Sequence, residues 1–279
     1  MPIREDPITI AVDEGQIAGT LVTPATRMPG VLMVHGWGGS QEQYLARARQ
    51  IAELGCVCLT FDLRGHAGTR ARQETVSREN NLRDVLAAYE VLAAHPPLDP
   101  AAIAVAGSSY GGYLGAILTS LRPVKWLALR VPALYMDSDW EMPKRQLHRD
   151  YDLVAYRQRL LPAEENRALR ACAAFQGDVL VVESEFDQIV PHAVISSYLE
   201  ACIQAHSLTY RVMKGADHGL TEPACQRLFN SLLVNWVNEM IFGEPRERSV
   251  RQSDPESMRR SGPAKPGADA EPPEAPPVA

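Results

Sequence analysis

The chain has 279 residues, 46% hydrophobic and 22% charged, with 28 Lys and Arg against 34 Asp and Glu for a formal charge of -6. That composition supports a substantial buried core and excludes disorder for the bulk of the chain. The acidic balance argues against sequence-blind binding to phosphate backbones or anionic membrane surfaces, so neither nucleic acid nor membrane is an expected partner.

The amino terminus, Met1-Pro2-Ile3-Arg4-Glu5-Asp6, carries acids where a signal peptide needs a basic start and an apolar stretch. No later run approaches the length of a membrane span. The five cysteines, Cys56, Cys58, Cys172, Cys202 and Cys225, are scattered and show no zinc-ligand spacing. A reduced, cytoplasmic setting without a metal is the expectation.

In chain order, short β-branched runs alternate with stretches of helical period. Strands are predicted at 8–12 and 18–22, joined by a turn near 13–16 that makes them antiparallel at one edge. A strand at 31–34 is followed by a helix at 41–54, a strand at 57–61 by a helix at 78–94, and a strand at 103–106 by a helix at 110–120. After a strand at 124–129 the alternation breaks, because 133–177 separate it from the next strand at 179–183. This stretch reads as an inserted helical cap, with Trp140, Leu147, Tyr151, Val154 and Leu160 covering another surface and Arg145, His148, Arg149, Asp150 and Arg157 facing elsewhere. A helix at 192–205, a strand at 208–213 and a helix at 222–240 complete a domain spanning 1–242. Strands separated by helices call for right-handed crossovers and a mostly parallel, eight-stranded sheet covered on both faces. From 243 to 279 the chain holds eight prolines and no aromatic residue, the composition of a disordered tail.

The sharpest local signal is Gly107-Ser108-Ser109-Tyr110-Gly111-Gly112, which follows an apolar strand and opens an apolar helix. This is a G-x-S-x-G elbow, in which a serine at the apex of a strained strand-to-helix turn needs small residues two positions to either side. Ser109 satisfies the frame, whereas Ser108 would place Ala106 and Tyr110 at the small positions. Serine alone is a weak nucleophile at neutral pH and requires a base and an orienting acid. Asp187 stands in the turn beyond the seventh predicted strand and His218 in the loop beyond the eighth, the required order. Glu185 is the serious rival for the acid. The glycines of His35-Gly36-Trp37-Gly38-Gly39-Ser40 free a loop to aim amides at a ligand, and the backbone N–H groups of Trp37 and Tyr110 are the expected oxyanion donors. A phosphate-binding loop is disfavoured, since the lysine and its spacing are missing.

Taken together, these motifs resemble those of the α/β-hydrolase superfamily over residues 7–242. His-Gly-Trp-Gly-Gly at 35–39 is similar to its oxyanion loop, and Asp62-Leu63-Arg64-Gly65-His66 to its turn after the fourth strand, here read as structural. The elbow is similar to that of prolyl-oligopeptidase-type peptidases, dienelactone-hydrolase-like enzymes and related bacterial esterases. The resemblance implies the α/β-hydrolase fold and cleavage of an ester, thioester or amide without a cofactor. Serine at 109 argues against dehalogenases and epoxide hydrolases, which use Asp, and against true dienelactone hydrolases, which use Cys. No propeller segment precedes the domain, so a size-filtered oligopeptidase is not expected.

The resulting expectation is a serine hydrolase acting on a small carboxylic ester through an acyl-enzyme. Trp140, Tyr151 and Tyr156 are expected to line an acyl or aromatic pocket, with Arg145 or Arg149 meeting an acidic substrate. Alternatives are a thioesterase, a short-peptide peptidase whose amine site is built from Asp137, Asp139 and Glu141, and a non-catalytic ligand-binding protein. Oligomeric state is not legible.

Overall fold

The computed structural model describes residues 3–13, 15–24 and 28–243, so the predicted tail lies outside the described residues but for Gly243. Eight strands form a single sheet: β1 (Ile3–Val12), β2 (Gly15–Pro24), β3 (Met28–Val34), β4 (Val57–Phe61), β5 (Leu98–Ser108), β6 (Trp126–Arg130), β7 (Asp178–Phe186) and β8 (Ser207–Asp217). Their spatial order is β1-β2-β4-β3-β5-β6-β7-β8. β1 runs antiparallel to β2 and β2 antiparallel to β4, and all other neighbours are parallel.

The helices are α1 (Glu42–Glu53), α2 (Arg78–Ala93), α3 (Tyr110–Leu118), α4 (Lys144–Asp150), α5 (Leu153–Arg157), α6 (Arg167–Ala174), α7 (His192–Ala201) and α8 (Pro223–Phe242). Alternation along each strand divides the core into two layers. Leu32 and Val34, Ile103 and Val105, and Leu127 and Leu129 pack with residues of α2, α3, α6 and α7. Val31 and Met33, Ala104 and Ala106, and Trp126 and Ala128 pack with residues of α1 and α8. Both faces are covered, which is why the central strands read as unbroken apolar runs.

β3 lies between β4 and β5, so the chain leaves β3 toward one neighbour and later returns on its other side. The loops after β3 and β5 therefore diverge, opening the crevice in which open α/β sheets bind ligands. A buried ion pair, Arg64 Nε to Asp84 Oδ1 at 2.5 Å, fastens the turn after β4 to α2. Arg64 also donates its backbone N–H to Asp84 and, through Nη2, a bond to the Asn80 carbonyl, so the buried charges are hydrogen-bonded as well as paired.

Three expectations need correction. β1 starts at Ile3 rather than at 8. β5 starts at Leu98 rather than 103, because its ladder with β3 resumes beyond a register shift through a segment without apolar patterning. Residues 133–177 hold three short helices and a 3₁₀ turn at Ala163–Glu165, and their polarity is not as expected. Val154 and Leu160 are exposed. Arg157 is buried, with Nε donating to the Leu134 carbonyl and the guanidinium 4.8 Å from the Tyr135 ring. The five-residue α5 is too short to present a sustained apolar stripe, and the aromatic floor beneath it recruits the arginine instead. Among the described residues no helix is long and apolar enough to cross a membrane.

Candidate active site

Ser109 sits between β5 and α3 with φ 52 and ψ −115, a left-handed backbone that side chains rarely adopt. Its N–H donates to the Arg130 carbonyl at 2.9 Å, and its own carbonyl accepts from Tyr113 and Ala133. Glycine is required on both sides. A Cβ at Gly107 would collide with the Gly111 carbonyl, and one at Gly111 with the carbonyl oxygens of Val34 and His35. Val131 (φ 39) and Leu220 (φ 52) are strained in the same way beside the site.

Ser109 Oγ is 3.0 Å from His218 Nε2, and His218 Nδ1 is 2.6 Å from Asp187 Oδ2. The other Asp187 oxygen accepts the N–H groups of Ile189 and Val190, both at 2.8 Å, which fixes the carboxylate in a turn that leaves its side chain 3% exposed. His218 remains 20% exposed and so reaches solvent. The rival acids are engaged elsewhere. Glu185 accepts the Gly215 N–H and pairs with Lys214, which hold its carboxyl below the usual range. Glu183 accepts from Tyr210 and meets His192, and Asp217 accepts from Thr221.

The loop after β3 approaches the serine closely: a Cβ at Gly36 would touch Ser109 Cβ and the Ser108 carbonyl. Gly38 has φ +81, and the Gly39 N–H closes a turn onto Gly36. His35 braces the loop, its Nδ1 2.8 Å from the Gly36 carbonyl and its Nε2 accepting the Leu63 N–H at 3.0 Å. Burial keeps His35 below the ordinary histidine value, consistent with that neutral tautomer. Tyr110 is the first residue of α3, so its N–H belongs to the group a helix start leaves without an intrahelical acceptor. Its buried hydroxyl donates to Asn81. His66 is buried against the Trp37 ring rather than lining the site, and burial pushes it down to about 4.

On one side of Ser109 the space is filled. Lys144, 1% exposed, places Nζ 4.1 Å from the Trp37 ring centre, 4.7 Å from Tyr110 and 4.9 Å from Tyr135, and donates to His148. Burial holds the lysine below its ordinary value despite the pull of Tyr135. Burial would raise Tyr135, but the Lys144 and Arg157 cations outweigh it and hold the phenol below its ordinary value.

On the other side a cleft of about 340 Å³ opens between α1, the His218 loop and α8. Trp37, Gln43, Arg47, Ser109, Arg130, His218, Gln226 and Phe229 line it. None of Trp140, Tyr151, Tyr156, Arg145 and Arg149 does. Trp140 stacks on Tyr113 between the guanidinia of Arg78 and Arg167. Tyr151 donates to Asp139, the Tyr156 hydroxyl meets Asn166, Arg145 pairs with Glu74, and Arg149 is exposed on α4. Asp137 is paired with Arg170 and accepts the Arg167 N–H. Sequence reading missed Arg47, Arg130 and Phe229. The one available signal was an arginine ending an otherwise apolar strand. No cluster of three His, Cys, Asp or Glu side chains among the described residues is arranged to hold a metal.

The α/β hydrolase family model matches residues 31–230. No curated protein matches. Among solved structures, a dienelactone hydrolase from Anabaena variabilis superposes with TM-score 0.63 at 18% identity, covering 86% of this chain and 99% of that one. Est1E from Butyrivibrio proteoclasticus, solved with ferulic acid bound, gives TM-score 0.65 at 17% identity over 84% of this chain and 98% of its own. The acylaminoacyl peptidase of Pyrococcus horikoshii gives TM-score 0.65 at 14% identity, over 86% of this chain but 42% of the peptidase. With the sheet order, the elbow and a family match over most of its length, the chain belongs to the α/β hydrolase family.

Proposed function

We propose that the protein is a serine hydrolase that cleaves a carboxylic ester in two steps. The observation that carries this reading is the unbroken hydrogen-bonded line from Asp187 through His218 to Ser109, ending at a serine in a strained elbow. Ser109 Oγ attacks the ester carbonyl while His218 Nε2 takes its proton, and the oxyanion is held by the N–H groups of Trp37 and Tyr110. The C–O bond to the alcohol then breaks, and His218 returns the proton to the leaving oxygen. Water repeats the sequence on the acyl-enzyme. Asp187 fixes the imidazole orientation and stabilises its cation.

Esters are favoured over peptides because none of the carboxylates expected to hold a free amine lines the cleft, Asp137 being paired with Arg170, Asp139 bonded by Tyr151 and Glu141 exposed elsewhere. Labelling with a fluorophosphonate, followed by peptide mapping, tests the mechanism without knowledge of the substrate. An adduct on Ser109 that disappears in His218→Ala is the expected result. Absence of an adduct on folded wild-type protein overturns the reading.

A further inference from the structure

Two arginines of the cleft have no carboxylate partner. Arg130 is 6% exposed and Arg47 9% exposed, yet neither forms an ion pair with any described residue. Arg130 Nη2 donates to the carbonyls of His218 at 2.5 Å and Asp217 at 3.2 Å, with a longer contact to Ser184 Oγ, and its Nε has no partner. Arg47 Nε donates to Asn230 and Nη1 to the Gln43 carbonyl. Both guanidinia lie on the Phe229 ring, at 4.9 Å for Arg47 and 5.5 Å for Arg130. Each cation therefore makes its direct contacts with aromatic rings and carbonyl or amide oxygens, and no carboxylate touches either, Asp187 and Asp217 acting on Arg130 only through space.

Strand parity explains the placement of Arg130. It continues the Trp126 and Ala128 face of β6, so its side chain enters the layer of α1 and α8 beside the cleft. Desolvating two like charges together is unfavourable unless an anion joins them. Other buried cations are compensated by the chain itself: Arg64 by the Asp84 carboxylate, Arg78 by the carbonyls of Met136, Ser138 and Asp139, and Lys144 by its aromatic cage. Only Arg47 and Arg130, among these, line the cavity that also exposes Ser109.

We propose that Arg47 and Arg130 form an oxyanion subsite for a carboxylate, so that the ester cleaved at Ser109 carries a carboxylate group. The inference rests on the ester-hydrolase reading and deepens it. Planar guanidinium forks match a carboxylate, Gln43 and Gln226 supply further polar atoms, and Phe229 takes the intervening apolar chain. The bound carboxylate takes no part in bond making. Only the ester C–O bond is exchanged, as described above.

Two matched pairs of substrates test it: 4-nitrophenyl hemiglutarate against 4-nitrophenyl pentanoate, and 3-acetoxybenzoate against phenyl acetate. They place the carboxylate on the acyl side or on the alcohol side. The wild-type protein should prefer the charged member of one pair by about 10–100-fold in kcat/KM, the range of a charge-assisted hydrogen bond. That ratio should collapse toward unity in Arg47→Gln, stay high in Arg47→Lys and be unmoved by Arg145→Gln, which removes the same charge outside the cleft. No preference in either pair, or a ratio unchanged in Arg47→Gln, overturns the proposal. Since Arg47 also ties α1 to α8 through Asn230, a parallel measurement needs no variant: glutarate should slow fluorophosphonate labelling of wild-type Ser109, and added salt should relieve the protection. Labelling that glutarate leaves unaffected counts against the subsite alone, whereas absence of labelling counts against the hydrolase reading. In that second case calorimetric titration with glutarate decides the subsite, binding supporting it and no heat overturning it.

Discussion

The two banks of Ser109 handle buried cations in opposite ways. On the α4 bank, Lys144 is enclosed by Trp37, Tyr110 and Tyr135, and its ammonium donates to His148. On the α8 bank, Arg47 and Arg130 lie against one Phe229 ring in a cleft that stays open. An aromatic cage with a tyrosine held below its ordinary value substitutes for an anion in the first case. In the second the protein supplies carbonyl and amide oxygens and the Tyr44 and Phe229 rings, and no carboxylate in contact, leaving room for a bound anion. Closure on one side and incompleteness on the other assign one bank to architecture and the other to recognition.

The largest expected effect tests what the banks share. His218→Ala should lower ester turnover by about 10⁴-fold or more while leaving the melting temperature nearly unchanged, measured by steady-state hydrolysis and thermal denaturation. Retained turnover would mean that neither bank flanks an activated serine.

Next comes the closed bank. Lys144→Ala empties the cage and should lower stability by about 2–5 kcal/mol in urea titrations, whereas Lys144→Met refills it and should recover most of that loss. A neutral Lys144→Ala would erase the contrast with the open cleft.

A smaller effect follows from His66, which packs on the outer edge of Trp37. Its folded pKa is pushed to about 4 by burial, with the neighbouring His35 adding to the shift. Between the unfolded value near 6.5 and about 4, the unfolded chain binds a proton that the folded chain refuses, so stability is lost as pH falls through that window. The loss from this residue should reach about 3 kcal/mol at most, and His66→Gln should flatten the pH dependence of unfolding. Equal slopes in both proteins would show that the Trp37 edge admits water.

The smallest effects belong to Arg145 and Arg149. Replacing either by alanine should change stability by less than about 0.5 kcal/mol and leave kcat/KM for neutral esters unaltered, because Arg149 is exposed and the Arg145–Glu74 pair is solvent-accessible.

Sheet and elbow were legible because their physics is local. A parallel strand covered on both faces must be apolar throughout, and a serine at positive φ between a strand and a helix demands glycine at 107 and 111. Asp187 and His218 were legible because each follows a strand, and parallel strands deliver their following loops to one edge. The substrate side was not. Arg47 belongs to an amphipathic helix, where an arginine ordinarily faces water, and its burial depends on α8 packing beside α1 through Asn230 and Phe229. Arg130 enters the same layer only because β6 ends in the register that aligns it with Val182. Tyr151 and Arg145 suggested a pocket by composition alone, but each has a nearby polar partner in the fold. The polarity of 133–177 was misread for a related reason: helical periodicity was applied to a segment whose helices are too short to sustain it.

The hydrogen bond between His218 and Ser109 joins positions 109 residues apart, and the imidazole arrives on the last loop before α8. A growing chain that has passed β6 holds every residue that braces the elbow, Arg130 and Ala133 included, yet it still lacks the His218 imidazole. On the mechanism proposed above, reactivity therefore waits for the final strand, and a prematurely ended polypeptide carries the serine in an idle state.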